Sequence, residues 1–248
     1  MDIAGFFNFI ILALLVILVS VGLDRLYARI APFRLFYYAL RFPGVVLHEI
    51  AHVAGCLVTG AEIKKIVLFS KTGGSVTYAN PKIPLLGTVI ISTAPLFVLP
   101  LALAGLTWIF GTYFGCDVPA VFPSGTGSVA EFYEMIHEIP LLFSANLVSR
   151  FNGWFLVYVY LTGSITLSLA PSRRDFLNAV VGIVLIFTFC LLVFWAGFPG
   201  PVAVIDLVIA PMTTAFTIGL LYEMIAAFVS VPFILMYWIL RAGKKQKK

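Results

Sequence analysis

Five residues, His48-Glu49-Ile50-Ala51-His52, bring three ionisable side chains into an apolar run. On a helix, two histidines four apart project from one face, about a turn from each other. At that spacing two imidazoles can share one zinc ion, with Glu49 beside the metal to carry a proton. The run that holds them, residues 42–61, is otherwise built mainly from Val, Leu, Ile, Ala, Gly and similar residues. Ionisable groups are expensive in lipid, so three within five residues need compensation, and a metal ion supplies it. The alternative is a buried polar cluster hydrogen-bonded to neighbouring helices. It would need partners that this segment does not itself contain.

A catalytic zinc usually takes three protein ligands and keeps one position open. His48 and His52 would give two. Asp175 is the leading candidate for the third. It follows Pro171-Ser172-Arg173-Arg174, a proline-marked break between two apolar runs, where an acid can open a helix and point inward. A carboxylate stabilising a helix N-terminus beside two arginines would explain Asp175 without metal. Asp206, Glu223, Asp117 and His137 are weaker candidates. Glu223 lies within an apolar run, where it could pair with another helix, and Asp117 lies in a polar loop. His137 stands among Glu131, Glu134 and Glu138, on a face that reads as solvated. With zinc bound, Glu49 would take a proton from water and deliver it to a leaving amine. Ser92, Thr93 and Asn146 are candidate donors to an oxyanion.

The elements that must position these residues are membrane spans. Of 248 residues, 61% are hydrophobic and only 11% charged, against roughly a quarter charged in soluble domains. The chain reads as one integral membrane domain, 1–248, all-α and multi-pass. Within it, 1–41 is a first span and interfacial stretch, 42–179 the core that carries His48, His52 and Asp175, and 180–248 the C-terminal spans with a basic tail. The net charge of +5 comes largely from clusters between apolar runs and from Lys244-Lys245-Gln246-Lys247-Lys248. In a membrane protein such clusters report orientation; they give no reason to expect nucleic-acid binding. Cys56, Cys116 and Cys190 are widely spaced and read as small buried residues, with no disulfide framework.

Residues 4–23 form an uncharged run without a secretory cleavage pattern, and so a retained first span. Residues 24–41, with Arg25, Arg29, Arg34 and Arg41 among aromatics, read as an interfacial amphipathic stretch. Pro43 suits the first turn of the histidine helix and Gly60 its end. Residues 62–80 turn at Gly73-Gly74 and predict a β-hairpin. Apolar runs at 84–110, 151–169, 176–196 and 202–240 bring the total to about six spans. Residues 111–127 read as a loop, residues 131–143 as an interfacial helix, and Phe198-Pro199-Gly200-Pro201 as a break. The last run is too long for one upright helix and has Pro211 and Pro232 to kink it.

At these residues the chain resembles the site-2 protease family of intramembrane zinc metallopeptidases. His48-Glu49-Ile50-Ala51-His52 with Val53-Ala54-Gly55 resembles the family's first motif and its small-residue continuation. The hairpin stands where that family has one, and Ser92-Thr93-Ala94-Pro95 is similar to its small-residue-plus-proline segment. Where the family's third motif has asparagine, proline and Leu-Asp-Gly, this chain reads Ser168-Leu169-Ala170-Pro171-Ser172-Arg173-Arg174-Asp175-Phe176. Proline and aspartate are kept; the asparagine and glycine are not. No segment is long and polar enough for the PDZ domain some members carry.

The resemblance implies one Zn2+ per chain held by His48, His52 and Asp175, with Glu49 catalytic. It implies a membrane-protein substrate, cut in or near a transmembrane segment within the bilayer. A strand edge such as 75–78 could pair with an unwound substrate. Two other readings stay open: a transporter relaying ions or protons through intramembrane His and Glu, and an inactive protease-like scaffold. Basic clusters place residues 24–41, 64–82, Arg173-Arg174 and the tail on the cytoplasmic side, of the cell membrane by expectation. Residues 64–82 can share that side only if the motif segment or the hairpin is re-entrant. Otherwise an extra crossing is needed before Asp175, within 131–150.

Overall fold

A computed structural model describes residues 3–31, 34–70, 73–119, 129–197 and 199–245. Thr72 of the hairpin turn, residues 120–127 of the expected loop, Phe198 of the break and residues 246–248 of the tail lie outside the described residues. So do the side chains of Glu131, Arg173, Arg174, Cys190 and Asp206. The described chain is mostly helical: α1 Ile3–Ile30, α2 Arg34–Thr59, α3 Pro84–Tyr113, α4 Val129–Ser144, α5 Gly153–Leu167, α6 Arg173–Trp195 and α7 Pro199–Lys245. A π-helical turn, Ala145–Ser149, extends α4. Strands β1 (Ile63–Val67) and β2 (Ser75–Tyr78) form an antiparallel hairpin with Ile63 opposite Tyr78 and Val67 opposite Ser75.

Four described helices are long and apolar enough to cross a membrane, at Phe9–Ile30, Leu35–Thr59, Leu86–Tyr113 and Pro211–Ile239. The expected six spans are therefore matched at four. The run at 151–169 yields α5, whose 15 residues reach only about 22 Å, short of a hydrocarbon core of about 30 Å.

Residues 24–41 do not form an interfacial element of their own. α1 continues through Ile30 because Leu23, Tyr27 and Ile30 keep a buried helical face while Arg25 and Arg29 ride the exposed one. α2 begins at Arg34, so Pro43 lies inside it and not in its first turn. A proline there leaves the carbonyl four residues back without its helical donor. The hydroxyl of Tyr160 fills that place, donating to the Ala39 carbonyl at 2.8 Å. Gly60, at φ +63°, ends α2 as expected.

Cross-contacts set the helix directions. Tyr160 meets Ala39, the Gly44 amide donates to Ser164 Oγ at 2.9 Å, and His48 meets Ser168, so α5 climbs in step with α2. α3 runs the opposite way, with Gly87 against Thr59 and Ile91 against Gly55. α6 resumes the direction of α5, packing Asn178 on Ser92 and then Gly182 on Val89. α5 and α6 thus form one interrupted path whose break lies level with the histidines, about halfway along α2. α1 and α7 run parallel to each other, from Phe9 against Phe216 to Tyr27 against Ala226, and brace the outside of this core.

The hairpin doubles back along α2. Its base lies at the end of α2, where Lys82 packs against Gly60. Its far end reaches the level of Phe42, on which Phe69 stands edge-on at 5.0 Å, and of Glu49, against which Gly74 packs. The hairpin folds back alongside α2, and α3 returns the chain toward the start of α5, so no crossing is needed within α4. Lys64, Lys65 and Lys82 stand at the hairpin base, at the opposite end of α2 from Arg41, so the expected common side for all basic clusters does not hold. Charge count alone ignores that a hairpin returns its tip and leaves its base behind.

Candidate metal centre

His48 and His52 sit mid-helix on α2, both buried. Each ring is fixed by a main-chain carbonyl of a different helix. Nδ1 of His48 lies 2.7 Å from the Ser168 carbonyl, at the C-terminal end of α5, where helix carbonyls lack donors. Nδ1 of His52 lies 2.8 Å from the Ile91 carbonyl. Ile91 is four residues before Pro95, so that carbonyl has no amide donor within α3. A carbonyl only accepts, so both Nδ1 atoms donate, and in each neutral ring the lone pair belongs to Nε2. The two Nε2 atoms face each other at 3.2 Å.

Asp175 joins them from the first turn of α6. Ser172 caps that helix, its hydroxyl accepting from the Asp175 amide at 3.2 Å and donating back to Asp175 Oδ2. The exchange turns the carboxylate inward, with Oδ2 3.5 Å from His52 Nε2. One donor atom from each of His48, His52 and Asp175 lies within 4.8 Å of the others. A tetrahedral zinc with bonds of about 2.0–2.1 Å has its ligand atoms about 3.3 Å apart. The 3.2 Å and 3.5 Å separations fit that spacing. Two lone pairs and a carboxylate converging in a buried space could hold a cation.

Glu49 is also buried, one residue along from His48, with its carboxyl against the Gly74 backbone at the hairpin turn. A side chain at position 74 would overlap that carboxyl and push Glu49 aside, so glycine lets it stay where it is. Glu49 and His48 line the inner end of a cleft of about 660 Å³ between α1, α2, the hairpin turn and the α5–α6 break.

Among the described residues, none of the other sequence candidates joins this group. Asn146 is committed to the Asp117 backbone and the Leu142 carbonyl, where α3, α4 and α5 meet at the far end of α3. It is a brace and not an oxyanion donor, because all its polar atoms face that junction. Thr93 is bonded back to Val89 of its own helix. Ser92 is buried beside the group and accepts from Asn178 at 2.9 Å. His137 is exposed on α4. Glu223 is fully buried on α7, with both carboxylate oxygens lacking a hydrogen-bond partner. Sequence reading missed Ser172, Asn178 and the carbonyls of Ile91 and Ser168. Pro95 and the Pro171 break were the available signals for the two carbonyls.

The fold and this site define a helical membrane protein with a buried His–His–Asp group beside a glutamate. Residues 8–114 match the protein-family model described as Peptidase M50B-like, which is the site-2 protease family. The match covers the motif helix, the hairpin and α3, and it stops before Asp175. No curated protein and no solved structure matches the chain significantly.

Proposed function

We propose that the protein is a zinc-dependent endopeptidase that hydrolyses a peptide bond in or next to a transmembrane segment of another membrane protein. The observation that carries this is the meeting of two Nε2 lone pairs with the Asp175 carboxylate, in a chain matching a peptidase family. His48, His52 and Asp175 would hold the metal. When bound, zinc supplies Lewis acidity, polarising a carbonyl and making water acidic enough to react near neutral pH. The chain's own residues do the rest. The Ser168 and Ile91 carbonyls hold the imidazoles in one tautomer, and Ser172 holds the carboxylate. Glu49 accepts a proton from the attacking water and returns it to the leaving nitrogen. A transmembrane helix satisfies its backbone internally, so the substrate must unwind before its carbonyl is reachable. The cleft beside Glu49 is where an unwound segment would lie.

For orientation, Arg25, Arg29, Arg34, Arg41 and the end of α7 gather at the start of α2, against three lysines at the hairpin base. We assign the arginine side, and with it the C-terminal tail, to the cytoplasm.

Metal analysis of the purified protein tests the ligand set. His48→Ala, His52→Ala and Asp175→Ala should each lose zinc. Glu49→Gln should keep zinc and lose cleavage of reconstituted single-span peptides by about a hundredfold or more. Undiminished cleavage in Glu49→Gln, or full zinc retention in a His48→Ala/His52→Ala double variant, would remove the reading.

A further inference from the structure

The cleft beside Glu49 has two unlike ends. Its inner end holds His48 and Glu49, and its α1 wall is apolar, formed by Ile17, Leu18 and Val21. Its outer end is lined by Asp24, Arg25 and Arg41. Two of those three charges cancel. Arg41 Nε lies 3.3 Å from Asp24 Oδ1, Tyr37 Oη donates to the same carboxylate at 2.7 Å, and Arg41 Nη1 donates to Tyr37 Oη at 3.1 Å. Arg25 is left over. It is exposed to the cleft and has no acidic partner among the described residues.

The distance between the two ends sets a register. From His48 to Arg41 is seven residues of α2, about 10 Å along the helix. The Asp24–Arg41 pair holds Arg25 near the same level. An extended chain advances about 3.3 Å per residue, so a substrate side chain at the outer end is about three residues from the bond at the inner end.

Resting on the peptidase reading above, we propose that the cleft selects apolar transmembrane segments with an aspartate or glutamate about three residues from the scissile bond, on the flank facing the start of α2. Arg25 is the selecting residue. Ile17, Leu18 and Val21 accept the apolar residues next to the bond, and Arg25 meets the acid. A span with lysine or arginine at that position brings like charge against Arg25 and is rejected. Since spans commonly end in basic residues on one side of the membrane, this repulsion would exclude many of them.

The test uses the full-length, zinc-loaded protein in phosphatidylcholine vesicles. The probes are synthetic single-span peptides with a leucine- and alanine-rich core, a central glycine pair, and one Asp, Asn or Lys moved stepwise along the flank. Mass spectrometry locates the cut. The expected result is cleavage about three residues from the Asp, about tenfold faster than for Lys at that position. Arg25→Glu should invert the order, so that the Lys peptide is cut faster. Arg150→Glu, at an exposed site that does not line the cleft, should keep the wild-type order. Equal rates for Asp and Lys, or an unchanged order in Arg25→Glu, overturn the proposal.

If no peptide is cut, photo-crosslinking of the same set to Glu49→Gln decides. Capture favouring Asp that is lost in Arg25→Glu sustains the cleft's selectivity while the peptidase reading fails. Equal capture of Asp and Lys peptides refutes the selectivity itself.

Discussion

At the scale of single residues, the centre depends on two carbonyls that a regular helix would not leave available. One is at the end of α5, where the chain breaks before Pro171. The other belongs to Ile91, and Pro95 is what denies it a helical donor. Pro95 has no amide hydrogen and bonds no candidate ligand, yet it decides whether His52 Nδ1 has an acceptor to itself. Pro95→Ala would return an amide to α3, and that amide would compete with His52 for the Ile91 carbonyl. Two opposite effects should follow. The helix gains a hydrogen bond, so thermal stability should hold or rise. The imidazole loses its orienting partner, so zinc affinity should fall by about tenfold, the lower end of the range for such outer contacts. Melting curves and a chelator competition on the same preparation would read both. A fall in stability with unchanged zinc affinity would mean that Pro95 serves packing alone.

At the scale of elements, the interrupted α5–α6 path is what lets a residue 123 positions after His52 reach it. The break delivers a free carbonyl to His48 and the first turn of a new helix to His52. Close contact of α2 with α5 sets its depth, and Gly44 is the point of closest approach, lying against the Ser164 carbonyl. A methyl group there would overlap main chain, which cannot rotate away. Gly44→Ala should cost about 1–3 kcal/mol through overpacking and draw Ser168 away from His48. The thermal shift on adding zinc should shrink along with the melting temperature, whereas a purely local defect would leave that shift intact.

Much of this was legible in the sequence, because polar residues in an apolar run and Gly73-Gly74 between strand-like runs are local signals. The motif helix, the hairpin and α3 followed directly. The return of the hairpin along α2 was not legible, since it rests on Gly74 meeting Glu49 across 25 residues. Nor was the position of Pro43 inside α2, which needed Tyr160 from another helix to occupy the freed carbonyl. Asp175 was proposed as a ligand from the break before it. That its oxygen comes near His52 depends on the parallel course of α2, α5 and α6, which no local pattern encodes.

At the scale of the whole molecule, α1 and α7 clamp the core, and the acid they bury separates two accounts of the protein. Glu223 is fully buried, and neither carboxylate oxygen has a partner. One turn before it, Gly219 packs near Val16, Leu169 and Pro100; one turn after it, Ala226 clusters with Leu23, Tyr27 and Leu167. Those neighbours are largely apolar, and Glu223 lies outside the group that could hold a metal. A relay of ions or protons through the bundle would need this carboxyl, since a glutamine cannot take up and release the proton. A peptidase working at His48, His52 and Asp175 would not need it. Glu223→Gln keeps the shape and removes a group that would be costly to charge there. On the peptidase account it should leave zinc content and peptide cleavage unchanged and raise stability by about 1 kcal/mol or leave it as it is. Glu223→Lys should destabilise severely, because a cation there would also lack a partner. Zinc content, cleavage rate and melting temperature measured together on the glutamine variant would test this. Loss of cleavage in Glu223→Gln with zinc and fold intact would make this residue part of the peptidase chemistry and overturn the expectation.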